Sequence, residues 1–258
     1  MIKQKNTSQR AMLTDFINSI QGLHNGLIVS CQAPVDSPLH NASVIAAMAQ
    51  AAVNQGAVSV RVDTPTHIKA VREALKNSAS LSQSIATPII GLWKQQLPGF
   101  DVYITPQFHH AEAIASAGAD IIAIDATLRD RPERETVDTL IRRIHDELGK
   151  PVMADVDTIE NAIAAAKAGA DLVGTTLYGY TTQTKHLSPP GFELLTQLVE
   201  QLDIPAICEG GIASPQMAQE ALQRGAYAVV VGTAITGIDL QVKAYQQAIE
   251  KQAQATQR

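Results

Sequence analysis

The chain has 258 residues, 45% of them hydrophobic and 17% charged, which suits one large domain with a sizeable core. Its net charge is −5, whereas a protein that binds nucleic acid by bulk electrostatics should be basic, so no nucleic-acid partner is expected. No apolar run approaches the roughly 20 residues of a membrane span, so no membrane association is expected either. The chain has only Cys31 and Cys208 and opens without a signal-peptide-like segment, which favours a reducing, cytoplasmic location.

Short β-branched runs recur along the chain, and each is followed by a longer helical pattern. The eight runs cover residues 26–32, 57–62, 88–94, 120–127, 151–156, 171–177, 205–211 and 227–233. They are mostly apolar without clean alternation, as expected for parallel strands whose two faces are both covered. Eight such units between residues 26 and 236 predict an α/β protein with a single (β/α)8 barrel, a TIM barrel, as its one domain.

The two ends of the chain are predicted to add helices to this barrel. Residues 1–24 are expected to form an extra N-terminal helix that caps the bottom of the barrel. Residues 239–258 are expected to form a C-terminal helix, whose amphipathic part could face the core or an interface. We prefer the core-facing interpretation and leave a homodimer open.

Several helix starts carry capping signals. Thr64, Thr105 and Ser214 each precede a proline, which places a capping hydroxyl before a residue suited to the first helical position. Residues 157–160, Asp-Thr-Ile-Glu, have the form of a capping box.

The ends of the predicted strands are unusually polar, and in this fold the active site lies at the carboxyl ends of the strands. Lys94 and Glu209 directly follow the apolar runs IIGLW and PAIC, where an unpaired ionisable group would be costly to bury. The third and seventh strands lie four apart in a ring of eight, so we expect these two side chains to face each other across the mouth. The other polar strand-end residues are Ser30, Gln32, Arg61, Asp63, Asp125, Thr127, Asp155, Thr175, Thr176 and Thr233; Asp63 and Thr127, like Asp157 in the next loop, could equally be structural.

Glycines at the last two strand ends suggest a phosphorylated ligand. In many barrels of this type the loops after the seventh and eighth strands bind phosphate through backbone N–H groups. Gly210, Gly211, Gly232 and Thr233 occupy these positions. No dinucleotide or nucleoside-triphosphate phosphate loop is present, and the seven histidines are scattered, so neither a cofactor nor a metal site is predicted.

With these strand ends in view, the chain resembles the N-acylglucosamine-6-phosphate 2-epimerase family, the N-acetylmannosamine-6-phosphate 2-epimerases. The matching stretches are residues 26–40, 88–94, 119–127, 152–156, 174–181, 207–211 and 230–236, in order and over nearly the whole barrel. The resemblance implies an isomerase that interconverts N-acetylmannosamine 6-phosphate and N-acetylglucosamine 6-phosphate in sialic-acid catabolism.

The resemblance also implies roles for individual residues. Lys94 matches the family's base and Glu209 its acid. We assign substrate binding to Gln32, Arg61, Asp155 and Thr176, and phosphate binding to Gly210, Gly211, Gly232 and Thr233. Two positions depart from the pattern, because Gly211 and Gly237 stand where family members often have arginine. Both changes remove a cation near the expected phosphate.

The proposed chemistry explains why two ionisable groups are needed. In the ring-opened aldehyde the hydrogen on C2 lies next to a carbonyl, and inversion needs one group to accept it and another to return a hydrogen on the opposite face. A lysine base needs a lowered pKa. Arg61 could lower the pKa of Lys94 or polarise the aldehyde, and Asp155 could orient Lys94 or a sugar hydroxyl. The alternatives are a lyase that forms a Schiff base on Lys94 and a non-catalytic phosphosugar-binding module.

Overall fold

Eight parallel strands close into a barrel in chain order. The structure, a computed structural model, describes residues 17–78 and 87–256. The first strand pairs with both the second and the eighth, so the sheet has no free edge. The strands are β1 (Gly26–Cys31), β2 (Ser59–Asp63), β3 (Ile89–Leu92), β4 (Ile121–Asp125), β5 (Val152–Asp155), β6 (Leu172–Gly174), β7 (Ala206–Glu209) and β8 (Ala228–Val231). The (β/α)8 prediction is therefore confirmed.

Helices alternate with the strands and cover the outside of the barrel. They are α1 (Ala42–Asn54), α2 (Pro65–Ser78), α3 (Phe108–Ser116), α4 (Val137–Arg143), α5 (Ile159–Lys167), α6 (Phe192–Gln201), α7 (Pro215–Gln223), the short α8 (Thr233–Thr236) and α9 (Ile238–Thr256). A π-helical segment, Ile144–Leu148, continues α4 and ends at the left-handed Gly149. Within the described residues, no helix has both the length and the apolar character that crossing a membrane requires.

Alternation along the strands divides the core into two layers. Inward side chains such as Ile28, Ile90 and Ile207 are fully buried and form one cluster inside the barrel. Their neighbours, such as Val29 and Val60, form a second cluster with the helices. By the same alternation Arg61, Asp155 and Glu209 project inward, one step nearer the carboxyl ends of their strands, and cap the apolar interior with charge.

The segment before β1 closes the opposite end of the barrel. Residues 17–21 are helical, and Leu23 is fully buried in the interior cluster, against which Ile20 also packs. The rest of the predicted N-terminal helix, residues 1–16, lies outside the described residues.

Two of the predicted caps are confirmed. The Thr64 hydroxyl accepts a hydrogen bond from the His67 N–H at 3.3 Å, and the Ser214 hydroxyl accepts one from the Met217 N–H at 3.2 Å. Each satisfies a backbone donor that the first turn of its helix leaves free.

The Thr105 cap is wrong, because α3 starts at Phe108. The Thr105 hydroxyl accepts the Trp93 N–H instead, at 3.0 Å, which ties the loop after β3 back to its own strand. The capping box at 157–160 is wrong by one residue. Thr158 caps α5, and the Asp157 carboxylate accepts the Thr181 hydroxyl in the loop after β6.

The sixth strand is shorter than the predicted 171–177. It ends at Gly174, and Thr175–Leu177 form a 3-10 turn. The Leu177 N–H bonds to the Val156 carbonyl and the Tyr178 N–H bonds to the Thr175 carbonyl, so the backbone turns instead of continuing the ladder.

The core-facing interpretation of the C-terminal helix is wrong. Its first turn is tied to the barrel by a hydrogen bond from the Ser37 hydroxyl to Asp239, at 2.7 Å. The apolar side chains of this helix, including two in its first turn, are exposed to solvent. The large exposed side chains are Ile238, Leu240, Val242, Tyr245 and Ile249, each between 49% and 71% exposed.

Candidate active site

A cavity of about 470 Å³ opens at the carboxyl ends of the strands. Nine of the ten predicted site residues line it: Gln32, Arg61, Lys94, Thr176, Glu209, Gly210, Gly211, Gly232 and Thr233. The tenth, Asp155, is fully buried directly beneath and contacts Arg61 and Thr176. Residues from seven different segments of sequence thus meet in one cleft, because the barrel brings all strand ends to one face.

Lys94 follows β3 after one residue and is held at both its main chain and its side chain. Its N–H donates to Asp63 Oδ1 at 3.0 Å, and its Nζ donates to Gln32 Oε1 at 2.6 Å. Asp155 therefore does not orient Lys94, contrary to one of the two roles expected for it, because its carboxylate is bonded to Arg61 and Thr176 instead.

Lys94 is exposed to solvent as a residue, and its ammonium lies in the cleft wall, where neighbouring protein atoms replace part of its hydration. Loss of hydration lowers the pKa of Lys94, and the Arg61 cation acts in the same direction, while Asp63 opposes both. A lysine with a lowered pKa is more readily neutral, which is the state that can accept a proton.

Arg61 lies inside the barrel between two carboxylates. Its side chain is 1% exposed, with Nη2 2.5 Å from Asp155 Oδ2 and Nε 3.2 Å from Glu209 Oε1. Burial alone would lower the pKa of Arg61, but the two carboxylates raise it above its usual value. Arg61 is therefore a permanent cation that neutralises part of a buried acidic pair.

The carboxyl group of Glu209 has a strongly raised pKa. Burial raises its pKa to about 7; Arg61 opposes that change and Asp155 adds to it. Burial also raises the pKa of Asp155. A carboxyl group with a pKa near neutrality can both donate and accept a proton under ordinary conditions.

Consecutive threonines after β6 contact Glu209 and its neighbour. The Thr175 hydroxyl donates to the Glu209 carbonyl at 2.8 Å and accepts the Glu209 N–H at 3.0 Å. The Thr176 hydroxyl lies 2.6 Å from Asp155 Oδ1 and 3.2 Å from Glu209 Oε2.

Two tyrosines that the sequence did not predict as site residues line the cavity wall. Tyr103 lies in the loop after β3, and burial together with Asp155 raises its pKa to about 12, so it keeps its proton and can donate it in a hydrogen bond. Tyr180 lies in the loop after β6 and is mostly exposed. The available signal for Tyr103 was the alternating Val-Tyr-Ile-Thr segment at 102–105, whose Ile104 forms an antiparallel bridge with Lys94.

The strand-end residues that could have been structural do form structural contacts. Asp63 accepts the Lys94 N–H, and the Thr127 hydroxyl donates to Asp125 at 2.7 Å. Asp157 accepts both the Asn161 side chain and the Thr181 hydroxyl. None of these three residues lines the 470 Å³ cavity.

The glycine departures are matched to the local backbone. Gly211 has a φ of +72°, and a Cβ there would lie 2.5 Å from the Pro189 side chain. A Cβ at Gly237 would lie 2.8 Å from the Thr233 Cα. Because both contacts are far inside van der Waals range, an arginine at either position would require the neighbouring segment to move.

Other reactive groups offer little to the site. Cys31 and Cys208 are buried free thiols, and burial raises their pKa values to about 12 and about 11, so both stay protonated and inert. Within residues 17–78 and 87–256, no group of three or more histidine, cysteine or acidic side chains is arranged to hold a metal ion.

Known proteins match this chain over most of its length. A family model described as "Putative N-acetylmannosamine-6-phosphate epimerase" matches residues 45–251. A protein of Thermosynechococcus vestitus is 60% identical over 234 residues, which cover 91% of this chain and 97% of that relative. A protein of Synechococcus elongatus is 61% identical over 227 residues, covering 88% and 94%. Both are called "Putative N-acetylmannosamine-6-phosphate 2-epimerase".

A solved structure agrees with these sequence matches. The N-acetylmannosamine-6-phosphate 2-epimerase from Clostridium perfringens superposes with a TM-score of 0.82 at 38% identity, covering 89% of this chain and 95% of that chain. The matches define an isomerase that acts on carbohydrates and is built on a (β/α)8 barrel. The chain belongs to the N-acetylmannosamine-6-phosphate epimerase family, and the resemblance drawn from the strand-end motifs is confirmed.

Proposed function

We propose that this protein interconverts N-acetylmannosamine 6-phosphate and N-acetylglucosamine 6-phosphate by two-base proton transfer at C2, in the breakdown of sialic acid and related amino sugars. The observation that carries the proposal is the pair of Lys94 and Glu209 in one cavity. Lys94 follows β3 after one residue and Glu209 ends β7; these strands lie four apart in the closed ring, and the pKa of each side chain is displaced toward neutrality.

The reaction acts on the ring-opened sugar. From the manno side, neutral Lys94 takes the C2 hydrogen as a proton, the electron pair moves into the adjacent carbonyl to give an enolate, and protonated Glu209 returns a proton to the opposite face. The enzyme then holds an ammonium and a carboxylate, which is the state needed for the reverse reaction. The lowered pKa of Lys94 favours its neutral form, and the pKa of Glu209, about 7, lets that carboxyl group hold or release a proton near neutral pH.

Arg61 supports this exchange through charge. Its guanidinium is committed to Asp155 and Glu209, and these contacts favour a role in setting the pKa of Lys94 over a role in polarising the aldehyde. Gln32 holds the ammonium of Lys94 in place.

The phosphate is proposed to bind at the glycine-rich ends of β7 and β8. Gly210 and Gly211 both have positive φ, and with Gly232 and Thr233 they line the same cavity as the acid–base pair. Backbone N–H groups in such loops bind anions without a cationic side chain. This arrangement is compatible with glycine at both departure positions.

Proton NMR in D₂O tests the reaction directly. Purified protein is incubated with N-acetylmannosamine 6-phosphate beside the Lys94→Ala and Glu209→Ala variants. The expected result is N-acetylglucosamine 6-phosphate deuterated at C2, formed by the wild type and by neither variant. A folded wild-type protein that forms no product would exclude this substrate and direct the search to other phosphosugars.

The alternatives predict different outcomes. A Schiff-base lyase would give an adduct on Lys94 that borohydride traps, whereas two-base epimerisation gives none. A binding module would retain ligand affinity in Lys94→Ala and show no turnover in the wild type.

We further propose a cytoplasmic homodimer. The exposed apolar residues of α9, including Val242, Tyr245 and Ile249, support a surface that a second copy covers. Two buried free thiols support a reducing compartment. Light scattering of the purified protein gives its mass in solution, and a monomeric mass at micromolar concentration would exclude the dimer.

A further inference from the structure

The hydroxyl of Thr176 stands between two carboxylates but has only one hydrogen to share. It lies 2.6 Å from Asp155 Oδ1 and 3.2 Å from Glu209 Oε2. In the structure the shorter contact is to Asp155. The hydroxyl can therefore donate to one carboxylate at a time, and a small rotation about its C–O bond changes which one.

The surroundings fix the two acceptors more firmly than the donor. Asp155 is fully buried and its other oxygen is bonded to Arg61. The Glu209 main chain is clamped by the Thr175 hydroxyl, and Glu209 Oε1 lies against Arg61. Of the three groups, the Thr176 hydrogen has the most freedom to move.

Gly174 leaves room for this hydroxyl. A Cβ at position 174 would lie 2.6 Å from Met153 Cε, 3.0 Å from Thr176 Oγ1 and 3.4 Å from Asp155 Oδ1. The backbone of Gly174 has a φ of −124°, which any residue can adopt, so the glycine is explained by space and not by conformation.

We propose that Thr176 is a positioning residue for the proton exchange at Glu209: its hydrogen turns from Asp155 toward Glu209 when Glu209 loses its proton, and returns to Asp155 when Glu209 regains it. This proposal rests on the proposed function, and it gives Thr176 a role different from substrate binding. The hydroxyl stabilises whichever carboxylate carries more charge, without itself losing its proton.

The proposal has a signed consequence. Because Thr176 donates to the charged form of Glu209, it holds the pKa of Glu209 lower than burial alone would set it. Removing the hydroxyl should raise the pKa of Glu209 by about half a pH unit to one unit, which corresponds to the net free energy of an ordinary hydrogen bond, because the 3.2 Å contact is long for a charged acceptor.

The test uses Thr176→Val, Thr176→Ser and Thr175→Val. Val removes the hydroxyl with little change of shape, and Ser retains it. Thr175→Val is the matched control, because it removes the adjacent hydroxyl that binds the Glu209 main chain. The readout is a carbon-13 NMR titration of carboxyl-labelled glutamate, in which Glu209→Gln identifies the resonance of Glu209.

Thr176→Val should raise the pKa of Glu209, Thr176→Ser should restore the wild-type value, and Thr175→Val should lower thermal stability without moving it. The pH limb of kcat that reports Glu209 should move with the NMR value in Thr176→Val. A Glu209 titration unchanged in Thr176→Val, or moved equally in Thr175→Val, would overturn the proposal. If Thr176→Val does not fold, Thr176→Ala carries the same comparison.

The NMR titration needs no turnover, so the two proposals can fail separately. An inactive wild type with a Thr176-dependent Glu209 titration would reject the substrate and keep the positioning role. An active wild type in which the pKa of Glu209 does not depend on Thr176 would support the substrate and reject the positioning role.

Discussion

Aspartates at the two ends of the barrel do different work. Asp120 and Asp171, at the amino-terminal end, each follow the sequence Ala-Gly-Ala and accept a backbone N–H of the preceding strand, Ile89 and Val152 respectively. Each also pairs with a partly exposed basic side chain of an outer helix or helical segment, Arg72 or His145.

Asp155 and Glu209, at the carboxyl end, face inward and surround Arg61 with little access to solvent. Asp120 and Asp171 satisfy main-chain donors and so stabilise the fold. Asp155 and Glu209 lie beside a cavity, where burial is the main cause of the displaced pKa values of Lys94 and Glu209 and the charge of Arg61 modifies both. The position of an acidic residue along the strand, more than its pairing with a cation, thus separates a residue that supports the main chain from one that belongs to the candidate site.

The largest effect should come from Lys94. We expect Lys94→Ala to lower kcat/KM by at least about 10³-fold, within the range found for removing a general base, while thermal stability stays that of the wild type because the side chain is exposed. Lys150, two residues before the start of β5 at the other end of the barrel, is the matched control, and Lys150→Ala should keep full activity. Equal losses in both variants would erase the distinction between the two ends.

The next effect should come from Asp155. Asp155→Asn removes one partner of a buried ion pair and leaves the Arg61 guanidinium with Glu209 alone. We expect about 3 kcal/mol less stability by urea denaturation, near the lower end for breaking a buried pair, together with a loss of turnover. A stable and active Asp155→Asn variant would show that the ion pair of Arg61 with Asp155 does not hold Arg61 and Glu209 in place.

Glu209→Gln should change the pH dependence of stability. Burial raises the pKa of Glu209 from 4.5 to about 7, so between these values the folded state binds more protons than the unfolded state, and the stability of the wild type falls as pH rises through that window. The variant lacks this loss. Its stability relative to the wild type should therefore grow by about 1–3 kcal/mol from below pH 4.5 to above pH 7, measured by denaturation at several pH values. A constant difference would contradict the raised pKa.

The smallest effect should come from the amino-terminal end of the barrel, at Asp120. Asp120→Asn weakens the ion pair with Arg72 and the hydrogen bond from the Ile89 N–H. We expect a loss of about 1 kcal/mol and unchanged kcat/KM, because a partly exposed pair contributes little and the site lies at the opposite end. A loss of activity without a loss of stability would break the comparison between the ends.

The sequence predicts the barrel well because each strand carries its own apolar pattern. It also places Lys94 and Glu209 correctly at strand ends, since the fold brings all carboxyl ends to one face. Tyr103 could not be found in this way, because a loop after β3 turns back on the strand and delivers it to the cavity.

The contact of Thr176 with two carboxylates was equally hidden. It depends on a 3-10 turn where continued strand was predicted, and on a neighbour, Gly174, whose absent side chain leaves the space. The exposure of the apolar residues of α9 could not be predicted for another reason. An apolar helical face has the same sequence pattern whether it covers its own barrel or a second chain.

Trp93 is the only tryptophan of the chain and sits directly before Lys94. Its main-chain N–H donates a hydrogen bond to the Thr105 hydroxyl, and its indole ring packs edge-on against His110 with ring centroids 5.3 Å apart. Trp93 also lines a second cavity that shares Lys94 and Gln32 with the first. The protein therefore carries a built-in optical probe beside its proposed base, and its intrinsic fluorescence should report ligand entry in real time without any added label.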